Sequence, residues 1–400
     1  MTDSPRRPRI QAIELASAPD PYPAYAALRE RGAVVRGEFG QWLVTRHSEI
    51  STLLRDHRLV SEFPADFIRL ALGGGEAGAF LGRIVLTQDP PTHTRLRRFL
   101  GNAFGTRTIR ALQAGVASLV DELLEPVRGA GRFDLVNTLA LPLPVTVVCR
   151  LIGIPDADRA DVTPRVLDLA RVFDAANLGP GEQQRIVVAL HWLRNYLADL
   201  LRQERSRPRP QTLTGMYQLD SGRAGLTTDE FIDNLLFLFH AGFETTQGLI
   251  ANGIAALLDH RDQFDRVRAD PTLTPAAVEE FLRFDPPIQN TVRVARERIE
   301  IAGQVIRRGR SVMLLLGAAN RDERVFADPD RLDVGRTPNP HLGFGGGLHH
   351  CIGVALARLT AEVAFDRLLR GFAEIELDGT PIRRPHGSLR AFDHMPLRVT

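Results

Sequence analysis

The sequence predicts a mainly α fold with a minor β region. Most of the chain repeats its apolar residues at helical spacing. Strand-like alternation takes over between Thr291 and Leu316, where Val292, Val294, Ile299, Ile301, Val305 and Ile306 lie among polar residues, with Gly303 and Gly309 as turns. The chain has 400 residues, 44% of them apolar, enough to bury a large core.

The elements follow in order. Asp20–Gly32 is the first helix, with Asp20 as its cap and Pro21 at its first position. Two short strands, Val34–Val35 and Trp42–Thr45, precede a helix at Arg46–Asp56. Ser61–Thr87, with its run Gly73–Gly75, is an irregular connection of a length that is usually functional or mobile. Helices are predicted at Thr92–Phe104, Arg107–Arg128, Leu139–Ile152, Asp158–Phe173 and Glu182–Arg205. Thr227–His260 is the longest helical pattern, and a shorter one follows at Thr274–Arg283, where Pro275 stands as at a helix start. Ala319–Leu342 is irregular and rich in Asp, Arg and Pro. Cys351–Gly371 is the last long helix, and Glu374–Thr400 is extended. There are no repeats and no clear linker. Residues 1–19 read as an N-terminal extension and 20–400 as a single domain.

Composition excludes several functions. Charged residues are 24% and net charge is +2, which points to neither disorder nor a nucleic-acid partner. All 50 basic residues are arginine, so neither Schiff-base chemistry nor a P-loop lysine is available. No apolar run approaches the roughly 18 residues of a membrane span; the best, Leu235–Phe243, is interrupted by His240. The N-terminus has no apolar signal core, so a cytoplasmic protein with no membrane partner is expected. Of the two cysteines, Cys149 lies in an apolar segment and reads as a buried hydrophobe, and a disulfide framework is not expected.

Cys351 is the most informative residue. It sits in Phe344-Gly345-Gly346-Gly347-Leu348-His349-His350-Cys351-Ile352-Gly353, just before a helix. Glycines let a backbone pass close to a flat ligand. A cysteine at a helix head is expected to have a depressed thiol pKa. A thiolate held against a planar ring is what an axial haem ligand looks like. Structural zinc is disfavoured, because no second cysteine pair completes such a site.

The segment resembles the cysteine-ligand loop of the cytochrome P450 family, Phe-Gly-x-Gly-x-His-x-Cys-(Leu/Ile)-Gly. The resemblance extends through Leu356-Ala357-Arg358. It departs two residues later: the family often has an acid where this chain has Thr360, and Glu362 is the candidate to compensate. Glu280 and Arg283 share a helix face and, followed by Asp285-Pro286-Pro287, resemble the family's buried Glu-x-x-Arg pair, with Arg331 as the matching downstream arginine. Ala241-Gly242-Phe243-Glu244-Thr245-Thr246 places a glycine and two β-branched residues inside the longest helix, a local conflict that points to function. It resembles the family's (Ala/Gly)-Gly-x-(Asp/Glu)-Thr-Thr motif. His93 and Arg97, spaced i, i+4, resemble the family's propionate-binding helix, and Arg293 and His349 match its other propionate contacts.

The resemblance implies a cytochrome P450 fold, with haem b between a long central helix and a cysteine-bearing loop. Cys351 would ligate the iron. Ala241, Phe344 and Gly345 would touch the haem. The central helix would loosen into a groove beside it, Thr245 would position oxygen and water, and Glu244 would relay protons. Phe237, His240, Ile288, Asn290, Val292, Phe63, Phe67, Leu70, Val172 and Phe392 are the pocket candidates; His240 either anchors a polar substrate group or pairs with Glu244. The implied activity is a monooxygenase of secondary metabolism (polyketide, macrolide or aromatic antibiotic), acting on a free or carrier-protein-bound substrate. The implied electron source is NAD(P)H, through an external reductase and a ferredoxin. Arg95 and Arg98, off the helix face used by His93 and Arg97, are with Arg107 and Arg110 either a basic docking patch for an acidic ferredoxin or ordinary solvated charges; a monomer is expected. Phenol coupling or desaturation by the same haem, and a non-catalytic haem sensor, are the alternatives.

Overall fold

The computed structural model describes residues 15, 18–62, 75–179 and 181–400, with the side chains of 106, 107 and 175–177 excepted. Phe63, Phe67 and Leu70 lie outside the described residues. The first part of the chain contains α1 (Tyr22–Arg31), β1 (Val34–Arg36), β2 (Trp42–Val44), α2 (His47–Leu53), β3 (Leu59–Val60), α3 (Gly75–Leu81), α4 (Thr92–Gly101), α5 (Thr106–Ala130) and β4 (Arg132–Asp134). The middle is helical: α6 (Pro142–Ile152), α7 (Arg159–Ala170), α8 (Glu182–Glu204), α9 (Leu213–Asp220), α10 (Thr228–Asp259), α11 (Arg261–Ala269) and α12 (Thr274–Phe284). Then come β5 (Thr291–Ala295), β6 (Ile299–Ile301), β7 (Gln304–Ile306), β8 (Ser311–Leu314), α13 (Leu316–Ala319), α14 (Val354–Gly371) and β9 to β12 (Ile375–Leu377, Ile382–Arg383, Phe392–His394, Pro396–Val399).

The expected mainly α fold is present, with local differences. The sequence reading had no helix at α9 or α11, both short elements flanked by polar turns. The connection expected to be irregular from Ser61 to Thr87 contains α3. The helix expected from Leu139 starts at Pro142, after a wide turn over Val136–Ala140, because proline suits a first turn and not an interior.

The sheet that matters for the site has the order β1-β2-β8-β5-β3. Its β5 runs antiparallel to β8, with Arg293 opposite Val312. The α10 helix runs through the main core and is buried on nearly every side, as expected of a helix that is apolar all round. Its start is fixed by a capping box: Thr227 Oγ1 accepts the Glu230 N–H and Glu230 Oε2 accepts the Thr227 N–H. Among the described residues, no helix is long and apolar enough to cross a membrane.

Candidate active site

The cysteine loop is a folded turn rather than a helix start. Gly345 N–H donates to Leu342 O at 2.8 Å and Cys351 N–H to Phe344 O at 3.0 Å, closing the loop on itself. Gly347 has φ +63°, and a Cβ there would fall 2.0 Å from the Leu54 carbonyl oxygen, so only glycine fits. Cys351 precedes the first residue of α14, Val354. The expected depressed thiol pKa is not found. Burial pushes the Cys351 thiol up, against the pull of the Gly353 N–H, Arg97 and Arg358. A coordinated metal cation reverses that balance, because a ligating thiol is deprotonated outright.

Across from the sulfur lies α10. Cys351, Gly353, Leu356, Ala241, Gly242 and Thr245 line one cavity. The expected loosening of α10 is not present: the helix is unbroken from Thr228 to Asp259. Thr245 Oγ1 donates to Ala241 O at 2.8 Å and Thr246 Oγ1 to Gly242 O at 2.9 Å, so both threonines bond back into their own helix. Gly242 has a packing reason. A Cβ there would fall 2.6 Å from Val148 Cγ2, so the glycine lets α6 approach α10 beside the cavity.

Glu244 is buried on the same helix. Arg384 Nη1 donates to its Oε1 at 2.9 Å, while Arg384 Nε holds Asp393 at 2.7 Å. Burial pushes the Glu244 carboxyl up, and Arg384 is the largest force opposing it. His240 Nδ1 is 3.2 Å from Glu244 Oε2, without the alignment of a hydrogen bond. Its ring stacks on Phe173, centroids 4.0 Å apart and planes 5° apart. Burial pushes His240 down to about 3, so it is neutral. The sequence reading missed Arg384 and Asp393, which reach the site from the C-terminal strands.

The four residues expected to meet propionates form one cluster. The rings of His93 and His349 are 4.4 Å apart. Both ring nitrogens of His93, and Nε2 of His349, are buried without a hydrogen-bond partner. His349 Nε2 is 3.9 Å from Asp89, too long for a hydrogen bond. Arg97 donates to His350 O at 2.6 Å, and Arg293 to Thr291 and to Val292 O. Burial lowers both guanidinium pKa values, that of Arg293 to about 10, and neither makes an ion pair among the described residues. Buried donors without acceptors are costly unless a ligand completes them. The cluster suits the paired carboxylates of a haem next to a cysteine thiolate.

The cytochrome P450 family profile matches residues 43–390. The chain belongs to the cytochrome P450 family. It is 36% identical to the cytochrome P450 monooxygenase PikC of Streptomyces venezuelae, over 99% of this chain and 95% of that protein. It is 37% identical to the 6-deoxyerythronolide B hydroxylase of Saccharopolyspora erythraea, over 95% and 96% of the two chains. Its fold is similar to that of P450BioI, solved in complex with a hexadecenoic acid-ligated acyl carrier protein (TM-score 0.90, 33% identity, covering 97% of this chain and 100% of that one). The protein is a P450 monooxygenase with a P450 fold, and the family employs haem iron and electrons from a redox partner.

In this P450 the Glu280–Arg283 pair is fully buried, with Arg283 Nε and Nη2 donating to the two Glu280 oxygens at 2.8 and 2.7 Å. The downstream arginine that reaches Glu280 is Arg336, at 3.2 Å, and not Arg331 as expected. Arg331 contributes its carbonyl oxygen, which accepts from Arg283 Nη2 and Arg336 Nη2. A side chain five residues farther along comes back because the chain turns between them.

The pocket candidates separate. Phe173, next to Val172, has its ring 6.1 Å from that of Phe237 and stacks on His240, so this segment roofs α10 ahead of Thr245. Ile288 forms a bridge with Leu389, and Asn290 bonds to Gly387 and Ser388. Val292 packs on the cluster around Tyr25 and Met313, and Phe392 lies under the Arg383 guanidinium. Of the pocket candidates among the described residues, Ala241 lines the Cys351 cavity, and Phe237, His240, Val172, Ile288, Asn290, Val292 and Phe392 do not. Phe344 and Gly345 shape the loop through the bonds above without lining that cavity.

Proposed function

We propose that this P450 holds haem b through Cys351 and inserts one oxygen atom from dioxygen into a small organic substrate. The observation that carries the reading is the placement of Cys351 and Thr245 on one cavity, beside buried donors that lack an acceptor. When bound, thiolate-ligated haem supplies dioxygen activation and the radical chemistry. The chain supplies the rest. His93, Arg97, Arg293 and His349 bind the two carboxylates and orient the ring plane. Thr245 Oγ1, while donating to Ala241, keeps lone pairs that hold a water; breaking that bond frees its proton for donation. Glu244, with a raised carboxyl pKa, takes a proton nearer neutral pH than an exposed glutamate does. Ala241, small and on the cavity wall, leaves room for substrate.

The similarity to PikC and to 6-deoxyerythronolide B hydroxylase supports a substrate from secondary metabolism, and the acyl carrier protein bound to P450BioI supports a carrier-tethered one. Electrons come from NAD(P)H through a ferredoxin, for which exposed Arg98 and Arg110 are the docking cations. The deciding experiment is the spectrum of the reduced carbon-monoxide complex. A red-shifted Soret band that Cys351→Ser abolishes is expected, and an unchanged sulfur-ligated spectrum in the variant ends the reading. A compound screen by spin-state change then identifies the substrate class.

A further inference from the structure

Two carboxylates stand side by side on α12 and turn to different neighbours. Glu280 faces Arg283 and Arg336. Glu279 faces the cysteine loop. Its Oε1 accepts from Arg358 Nε and its Oε2 from Arg358 Nη2, each at 2.7 Å, a bidentate fork. The same Oε2 lies 3.1 Å from His341 Nε2. The Gly343 N–H donates to His341 Nδ1 at 3.1 Å, so the ring proton is on Nε2 and is donated to Glu279.

The two partners flank the sulfur. His341 lies just ahead of Phe344, whose carbonyl accepts the Cys351 N–H. Arg358 lies on α14, just beyond Cys351, with its guanidinium 5.2 Å from the Phe344 ring. One carboxylate therefore grips the chain on both sides of Cys351. Position 360, where the family often has an acid, is Thr360, which is buried and lines the cavity. Glu362 makes no ion pair with Arg358 among the described residues and acts on it only through longer-range charge, while burial followed by the nearby Glu279 charge pushes its carboxyl up.

We propose that Glu279 is a positioning residue for Cys351, clasping both flanks of the cysteine loop to α12 in place of an acid at position 360. The proposal rests on Cys351 being the haem ligand. It assigns Glu279 a task separate from that of Glu280. Glu280 stabilises the fold around the irregular segment, whereas Glu279 fixes where the sulfur stands relative to α10.

The test uses the haem-loaded protein and two readouts. One is the rate at which the reduced carbon-monoxide complex loses its red-shifted Soret band. The other is the global unfolding midpoint by far-UV circular dichroism. Glu279→Gln is expected to lose the band about tenfold faster, with a midpoint close to that of the parent. Glu362→Gln is expected to keep the parent rate. The proposal is overturned if Glu279→Gln keeps the parent rate, if Glu362→Gln matches its acceleration, or if band loss merely follows a lowered midpoint. Should Glu279→Gln not accumulate, Arg358→Gln, whose side chain is partly exposed, removes the same fork and is held to the same outcomes. A parent protein with no red-shifted band overturns the haem-thiolate reading itself, a separate failure.

Discussion

The two sides of the site differ in how completely their buried polar groups are bound. Behind the cysteine loop, Glu280 is inaccessible to solvent and accepts from Arg283, Arg336, Asn339 and the Asp333 N–H. On the α10 side, Glu244 has one guanidinium and a misaligned imidazole, and Thr245 bonds back into its own helix. Saturated buried networks hold one geometry, whereas partly satisfied groups can change partners. The side behind the cysteine loop is built to stay still, and the α10 side keeps groups that can exchange partners.

The largest expected effect tests the first half of that contrast. Glu280→Gln leaves Arg283 as a buried charge without its counter-ion, at a cost of about 3–5 kcal/mol. Denaturant unfolding should show that loss, together with poor haem incorporation. Glu244→Gln should change the unfolding free energy by less than about 1 kcal/mol and leave the Soret band in place. Equal destabilisation by the two variants would break the contrast.

Thr245→Ala comes next. It removes a hydroxyl whose hydrogen bond among the described residues is to its own helix, so the fold should be unaffected. Product formed per NAD(P)H consumed should fall by about a hundredfold, with hydrogen peroxide released instead. Peroxide assay and product quantification check this. Unchanged coupling would mean that the bond to Ala241 is the whole role of the residue.

Arg384→Gln should act on protonation alone. Burial raises the Glu244 carboxyl and the Arg384 cation lowers it, so deleting the cation raises it further. Glu244 then remains protonated to higher pH, and any step needing the protonated acid keeps its rate farther into the alkaline range. Infrared titration of the carboxyl stretch and the pH profile of turnover should shift upward together. A downward shift would remove Arg384 from the site.

Much of this was legible in the sequence because the relevant residues are close together in it. The cysteine loop, Glu280 with Arg283, Glu244 with Thr245, and His93 with Arg97 each lie within one turn or loop, so spacing alone brings them together. What was not legible reached the site by tertiary return. Arg384 and Asp393 come from the C-terminal strands, Arg336 from the irregular segment after α13, and Glu279 was hidden by its stronger neighbour. The state of α10 was also out of reach. The family resemblance implied an opened helix, yet packing against α6 and the threonine back-bonds keep it intact.

The smallest effect concerns the surface proposed for ferredoxin docking, and there the structure sorts the arginines. Arg95 was expected to dock a ferredoxin, but its guanidinium donates to both Glu230 oxygens at 2.5 and 3.0 Å and to Gly225 O. It therefore braces the residue that caps α10. Arg98 and Arg110 are exposed and make no ion pair among the described residues, and the Arg107 side chain lies outside them. Rim charges act mainly on association rates and are screened by salt. Arg98→Glu should slow ferredoxin-driven reduction about threefold at low ionic strength and spare peroxide-driven turnover. Arg95→Glu should depress both, because it places like charge against Glu230 and loosens the start of the helix that carries Thr245. Stopped-flow reduction across a salt series distinguishes the two. If Arg98→Glu reduces at the parent rate at every salt concentration, the docking surface lies elsewhere.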